Sequence, residues 1–276
     1  MENCMKRFSL ADRVIVITGA AGLLGQMHTR AVLDANGIPV LIDIDAGRLD
    51  ILKNELKSNN QNARFLTFSK SITDKSQMEE TLCNIIDKYG RIDGLVNNAC
   101  NNPAMSDSTC GEGRFESFTY EEWQADLGVG LYGALCCCQV FGEYMAEHGG
   151  GVIVNIVSDL GIIAPNQNLY RIDGNADKEQ PKKPVTYSVV KWGLIGLTKY
   201  LSTYWVKENV RANAIALGGI YNNQSDIFLS RLKELIPMGR MASKDEYMGS
   251  IVYMLSDASS YMTGSVITVD GGRTAW

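Results

Sequence analysis

A single α/β domain, doubly wound, with seven parallel strands and helices on both faces, is the fold this sequence predicts over residues 1–276. Three observations predict it. Short β-branched apolar runs alternate with segments of helical period along the whole chain, a glycine-rich turn joins the first run to the first helix, and no linker, repeat or shift of composition divides the chain.

The first strand is Val14-Ile-Val-Ile17, a run apolar on both faces, as strands of a covered parallel sheet are. It enters Thr18-Gly-Ala-Ala-Gly-Leu-Leu-Gly25 and then a helix over 26–36, with Gly37 as its stop. A second strand over 38–44 carries Asp43 near its end. Further on, helix is predicted over 49–56, 77–89, 185–208, 224–236 and 243–257, and strand over 64–68, 92–96, 152–157, 210–217 and 265–269. The stretch 120–148 reads as a long helix broken near Gly128 and Gly130. The polar segment 100–119 reads as a loop, and the proline-flanked 166–184 as a surface excursion.

Composition narrows the function classes. A net charge of −5 with no long basic run argues against a nucleic-acid or membrane-surface role. No apolar run suggests a transmembrane span, and no secretory pattern opens the chain, so a cytoplasmic location is expected. The 7 cysteines, three of them consecutive at Cys136-Cys137-Cys138, fit reduced thiols. Adjacent helical positions point about 100° apart, so those three read as packing and not as a metal site. With 2 histidines, His28 and His148, a His-rich metal centre is excluded, and a Ser-His-Asp triad is disfavoured; no metal is expected.

The strand, glycine turn, helix and acid-tipped strand form a dinucleotide-binding unit. Gly19 permits the tight turn, Gly22 and Gly25 permit close backbone approach, and the helix N-terminus offers N–H groups to a pyrophosphate. Asp43 would accept from ribose hydroxyls and repel a 2′-phosphate, so NAD is the expected cofactor. Tyr187 and Lys191, four apart on a helix, share one face, and the ammonium is expected to lower the phenol pKa. Composition alone yields such a spacing by chance about 0.6 times in a chain like this. The pair gains meaning only from what surrounds it.

Those surroundings resemble the short-chain dehydrogenase/reductase family over nearly the whole chain. The resemblance rests on Thr18, Gly19 and Gly25; Asp43; Asn97-Asn98-Ala99; Ser158 in Asn155-Ile-Val-Ser158; Tyr187 and Lys191; Arg211-Ala-Asn213; Thr263-Gly264; and Val269-Asp-Gly-Gly272. It implies a Rossmann-like sheet and a nicotinamide-dependent oxidoreductase that interconverts a secondary alcohol and a ketone. Ser158, Tyr187 and Lys191 would be catalytic. Gly19, Gly22, Leu24, Gly25, Asp43, Asn98, Ala99, Tyr187, Lys191, Gly218 and Ile220 would hold the cofactor. A homodimer or homotetramer built on the helices over 120–148 and 185–208 is also implied.

The sequence departs from the family at Leu23, Ser71, Cys100, Leu217 and Asn222. The helix asparagine that usually completes the relay to the lysine falls at Gly130, with water or Asn98 as the expected substitute. The distance from Ser158 to Tyr187 exceeds the family's habit, and Tyr170 stands nearer the usual place. Gly174 follows Tyr170 at the lysine position, so Tyr187 is preferred and 166–184 becomes an insertion at the active-site mouth. Arg171, Lys178, Lys182 and Lys183 within it offer an anion site, but interleaved acids favour a solvated loop. The insertion, the Gly-Leu-Leu-Gly turn and the run from Leu217 to Gln224 resemble dehydrogenases found with bacterial flagellin-glycosylation and nonulosonic-acid genes. That implies a small-molecule substrate of sugar or amino-sugar type. The alternatives are an NAD-dependent nucleotide-sugar epimerase or dehydratase, and a cofactor-binding regulator without catalysis.

Overall fold

A computed structural model describes residues 3–101 and 112–276. Part of the loop expected over 100–119, and Cys110, therefore lie outside the described residues.

Seven parallel strands form one sheet in the order β3-β2-β1-β4-β5-β6-β7, a doubly wound Rossmann-like arrangement. They are β1 Val14–Thr18, β2 Ile38–Asp43, β3 Leu66–Ser69, β4 Gly94–Asn97, β5 Gly151–Ser158, β6 Val210–Leu217 and β7 Val266–Val269. The order reverses between β1 and β4, which opens a crevice above the carboxyl ends of those strands. Seven helices among the described residues cover the sheet: α1 Leu23–Asp34, α2 Ala46–Asn59, α3 Lys75–Tyr89, α4 Tyr120–Glu147, α5 Val185–Tyr204, α6 Asp226–Lys233 and α7 Met248–Leu255.

Strand periodicity divides the core in two. Ile15, Ile17 and Leu41 pack with Val32 of α1 and with Ile251, Met254 and Leu255 of α7. Val14, Val16, Val40 and Ile42 face the other way, towards Met78 and Ile85 of α3 and Phe141 and Met145 of α4. Every β1 residue is buried, as expected for a strand apolar on both faces.

The starts of α2 and α3, at Ala46 and Lys75, lie upstream of the expected 49 and 77 because polar caps extend them. Asp45 accepts from Arg48 N at 3.0 Å at the head of α2, and Asp74 accepts from the Ser76 and Gln77 amides at the head of α3. The helix expected to break near Gly128 and Gly130 does not break. It runs through two wide turns, Gly128–Tyr132 and Cys138–Gly142. By length and composition α4, 28 residues long and holding an apolar window of 18, could cross a bilayer, contrary to the reading of the sequence. Half of that apolar window is buried inside the fold, with Cys136, Cys137, Cys138, Val140 and Phe141 packed on the sheet, so it is a core helix. Burial pushes the Cys138 thiol up to about 12 and the Cys137 thiol well above its ordinary value, as befits packing thiols.

Two of the family-like signatures prove to be staples. Asn213 donates to Met262 O (2.8 Å) and accepts from Ser265 N (3.0 Å), while Thr263 Oγ1 accepts from Ala212 N (3.2 Å). These bonds dock β7 beside β6.

Candidate active site

The crevice is a single cleft of about 1380 Å³ running from the glycine turn to α5 and α6. That is ample for a dinucleotide and a small substrate. Its first end is built from backbone. Gly19 has φ +61°, and a Cβ there would stand 2.9 Å from Ala99 Cα. Thr18 Oγ1 accepts from the amides of Asn98 (3.0 Å) and Ala99 (3.1 Å), and Asn98 Nδ2 donates to Thr18 O (2.9 Å) and Gly19 O (3.1 Å). The turn is thereby clamped to the end of β4. Gly22 caps α1 with no side-chain hydrogen bond, so the first-turn N–H groups beside Leu23 and Leu24 remain available to an anion in the cleft.

Gly19, Gly22, Leu24, Asp43, Asn98, Ala99, Tyr187, Lys191, Gly218 and Ile220 all line the cleft, as do Ser158 and Tyr170. Gly25 does not. It lies beneath the turn, where a Cβ would come within 2.1 Å of Gly19 O, so its smallness serves helix-to-turn packing. Asp43 has a second task besides facing the cleft: Oδ2 accepts from Ala21 N (2.8 Å) and Oδ1 from Asp45 N (3.0 Å). Gly218 lets β6 end against Asp270, whose Cα would be 2.7 Å from an added Cβ.

At the other end, β5 delivers Ser158 beside Leu217 of β6, and the first turns of α5 deliver Tyr187 and Lys191. Lys191 Nζ donates to Ile156 O at 2.9 Å and lies 5.6 Å from the centre of the Tyr187 ring. The expected lowering of the Tyr187 pKa is not found. Burial raises it above its ordinary value, and side-chain hydrogen bonding with Ser158 opposes that rise. Asn98 does not replace the missing asparagine, since its side-chain amide serves the turn. A Cβ on Gly130 would lie 2.6 Å from Val190 Cγ1, so α5 packs into the space a larger residue would need.

The insertion is a solvated loop over only part of its length, at Arg171, Asp173, Gly174 and 176–178. Leu169 is buried against Leu232 and Ile236, and Tyr170 packs on Phe228 with ring centres 5.8 Å apart. Gln180 accepts from Ile172 N (2.7 Å) and donates to Ile172 O (2.9 Å) and Asn175 O (2.7 Å). Arg231 of α6 donates to the carbonyls of Asn168 and Arg171 and pairs with Asp173 at 3.1 Å. So tethered, the segment walls the cleft with Leu169, Tyr170, Arg171, Ile172, Asp173, Pro181 and Lys183. Lys183 Nζ stands 4.1 Å above the centre of the Tyr187 ring, and burial pushes its pKa down to about 8.

Two site residues escaped the reading of the sequence. Asp159 is buried beside Ser158: Oδ1 accepts the Ser158 hydroxyl (2.7 Å) and Oδ2 pairs with Arg273 Nη1 (2.7 Å). Arg273 directly follows the Val-Asp-Gly-Gly run and also lines the cleft. A charged residue just past the ends of two sheet strands was the available signal, but nothing local pairs positions so distant in the chain. Tyr170, set aside for want of a lysine, shares the pocket; burial raises its pKa to about 12, and Arg273 and Tyr187 are among the groups acting on it.

A short chain dehydrogenase profile matches residues 13–171, and an enoyl-(acyl carrier protein) reductase profile matches 174–274. The chain belongs to the short-chain dehydrogenase/reductase family. Members of this family are oxidoreductases that act on CH–OH groups with nicotinamide cofactors. One relative is the post-translational flagellin modification protein A of Campylobacter coli, 30% identical over 263 residues, covering 95% of this chain and 98% of that protein. Another is the D-threitol dehydrogenase of Mycolicibacterium smegmatis, 28% identical, with 97% of this chain and 95% of the relative covered. Among solved structures, a short chain dehydrogenase from Leptospira borgpetersenii serovar Hardjo-bovis with bound NAD+ superposes with a TM-score of 0.82 at 25% identity, covering 99% of this chain and 96% of that one. Relatives named NAD-dependent and NADP-dependent both occur.

Proposed function

We propose that this protein is an NAD(H)-dependent oxidoreductase that interconverts a secondary alcohol and a ketone on a sugar-derived substrate. The observation that carries the reading is the convergence of Ser158, Tyr187 and Lys191 at one end of a cleft whose other end is the glycine turn and Asp43. The residues fit a dinucleotide: Gly19, where a Cβ would strike Ala99, lets the turn lie close against the end of β4, and the α1 N-terminus has no side-chain cap. When bound, the nicotinamide supplies or accepts hydride.

The protein's share is position and proton handling. Tyr187, kept a neutral phenol near pH 7 by burial, donates its proton to a carbonyl oxygen in the reducing direction. In the oxidising direction it takes the hydroxyl proton, and the Lys191 charge on the same helix face stabilises the phenolate. Ser158 orients the substrate oxygen. Asp159, holding the Ser158 hydroxyl, sets which way that group points. Lys191, anchored on Ile156 O, would hold the nicotinamide ribose.

The NAD preference rests on Asp43 in the cleft. Its carboxylate would repel a 2′-phosphate, while the nearby cations Arg48 and Lys70 are paired with Asp45 (3.4 Å) and Glu80 (2.7 Å). Exposed apolar groups on α4 and α5, including Tyr132, Leu135, Trp192 and Tyr200, support a homodimer or homotetramer through those helices. A monomer at micromolar concentration by sedimentation would overturn that assembly.

The direct test is Tyr187→Phe. NAD+-dependent turnover of a sugar-alcohol panel should fall by about 10²–10⁴-fold with NADH affinity nearly unchanged. Near wild-type turnover would sink the assignment. A kcat/KM for NADP+ above that for NAD+ in the unaltered protein would overturn the role given to Asp43.

A further inference from the structure

A serine hydroxyl has a single hydrogen to give and two lone pairs to offer. At Ser158 that hydrogen is already engaged. Oγ lies 2.7 Å from Asp159 Oδ1, the length of a charge-assisted O–H···O⁻ bond, and a carboxylate can only accept. One lone pair faces the Leu160 amide (3.2 Å), which also donates to Asp159 Oδ1 (2.8 Å). What remains for the cleft that Ser158 lines is a lone pair, not a hydrogen.

Arg273 makes this arrangement firm. Its Nη1 donates to Asp159 Oδ2 (2.7 Å), and both side chains are buried. A staple between β5 and the segment after β7 would need that ion pair alone. It would leave Oδ1 to the Leu160 amide and the Ser158 hydroxyl free to turn. The second oxygen instead faces the reacting serine.

We propose that Asp159 and Arg273 are positioning residues: Arg273 holds the Asp159 carboxylate so that it keeps the Ser158 hydrogen, and Ser158 meets Tyr187 and the reacting oxygen as an acceptor. The reacting oxygen is that of the function proposed above, on which this assignment rests.

The consequence falls on Tyr187. Among the described residues, Lys191 on α5, Lys183 and Tyr170 from the insertion, Cys100 after β4 and Asp159 after β5 are the titratable and charged groups that act on it or lie over its ring. Burial raises its pKa most, hydrogen bonding with Ser158 lowers it, and Cys100 and Asp159 raise it further. A hydroxyl steadies a phenolate only by donating to it. While Asp159 keeps the hydrogen, Ser158 withholds that help, and Tyr187 stays a phenol to higher pH. A substrate hydroxyl can donate to the waiting lone pair. A ketone oxygen, having no hydrogen, receives one from Tyr187 alone.

The experiment replaces Tyr187 of the full chain with a fluorinated tyrosine and reads its ionisation by fluorine NMR, with no substrate needed. Asp159→Asn is the first variant. An amide has one acceptor where the carboxylate has two, and Arg273 cannot give up its proton, so the amide oxygen stays on Arg273 and the NH2 group turns to Ser158. The freed hydrogen should lower the Tyr187 midpoint by about one unit, a tenfold loss of proton affinity. In a Ser158→Ala background the same exchange should shift it by less than about half as much. Arg273→Gln should act like Asp159→Asn, because a buried carboxylate without its cation takes up a proton and then donates to Ser158. Arg273→Lys, which keeps the ion pair, should stay near the unaltered midpoint.

Thermal unfolding checks that each variant is folded, and if Asp159→Asn fails to fold, the two Arg273 variants decide. A midpoint unchanged or raised in Asp159→Asn would overturn the proposal, as would equal midpoints in Arg273→Gln and Arg273→Lys. A shift equally large without the Ser158 hydroxyl would also overturn it, since charge alone would then be the cause. The pH at which kcat/KM for NAD+-dependent xylitol oxidation rises should fall with the midpoint. Turnover with unmoved midpoints leaves the reaction standing and overturns this assignment. No turnover across the sugar-alcohol panel counts against the reaction, while the fluorine midpoints still decide where the Ser158 hydrogen lies.

Discussion

The two ends of the cleft are made of different material. At the glycine turn, the surface offered to a ligand is mostly backbone, and what matters is the absence of side chains at Gly19 and Gly22 and, underneath, at Gly25. At the Tyr187 end, the surface is side chain, drawn from β5, α5, the 166–184 insertion and the segment after β7. The difference teaches that the first end tolerates few added atoms and depends on neighbours close in sequence. The second depends on long-range pairs such as Asp159–Arg273 and on the docking of the insertion against α6.

The sharpest way to break the first end is Gly25→Val. With Gly19 O 2.1 Å from the Cβ position, relief requires moving the turn itself. We expect a loss of at least about 3 kcal/mol, the upper range of overpacking, together with loss of NADH binding, read by thermal unfolding and cofactor fluorescence. The second end is tested by loosening its tether. Gln180→Ala removes three hydrogen bonds that hold Ile172 and Asn175. It should cost about 1–3 kcal/mol and raise substrate KM severalfold while leaving NADH affinity near wild type. Equal effects on both affinities would erase the distinction between the ends.

Gly130→Asn probes the border between them. Restoring the residue usual in the family should not restore a relay, because Val190 occupies the space; a destabilisation of about 1–3 kcal/mol is expected, partly recovered by adding Val190→Ala. The smallest effect is on pH. Burial lowers the Lys183 pKa to about 8, with Cys100, Asp159 and Asp126 opposing the fall and Lys191 adding to it, so the charge above the Tyr187 ring is present below that pH and lost above it. The kcat/KM profile should therefore bend near pH 8, and Lys183→Met should remove that bend.

Legibility followed the same division. The seven parallel strands, the glycine turn and the Ser158, Tyr187 and Lys191 set could be anticipated because β-branched runs, glycine spacings and short motifs are local signals. Lys183 was visible in the sequence but misjudged, since interleaved acids look the same on a solvated loop and on a tethered wall. Asp173 and Asp177 turn out to hold Arg231 and Arg171. Gly25 was credited with meeting the ligand when it meets Gly19 O, a contact that spacing cannot distinguish. The Tyr187 pKa was misread for a related reason: the helical period shows that Lys191 is near, but not how completely the phenol is taken out of water.

By itself, then, the sequence determined the parallel sheet and the glycine turn, and it singled out the side chains we propose to react, because each leaves a signal over a few residues. Only the tertiary structure decided the charge of the pocket those side chains face. That charge comes from Arg273 meeting Asp159 across most of the chain and from the insertion folding back on α6, while burial raises the Tyr187 pKa and lowers that of Lys183.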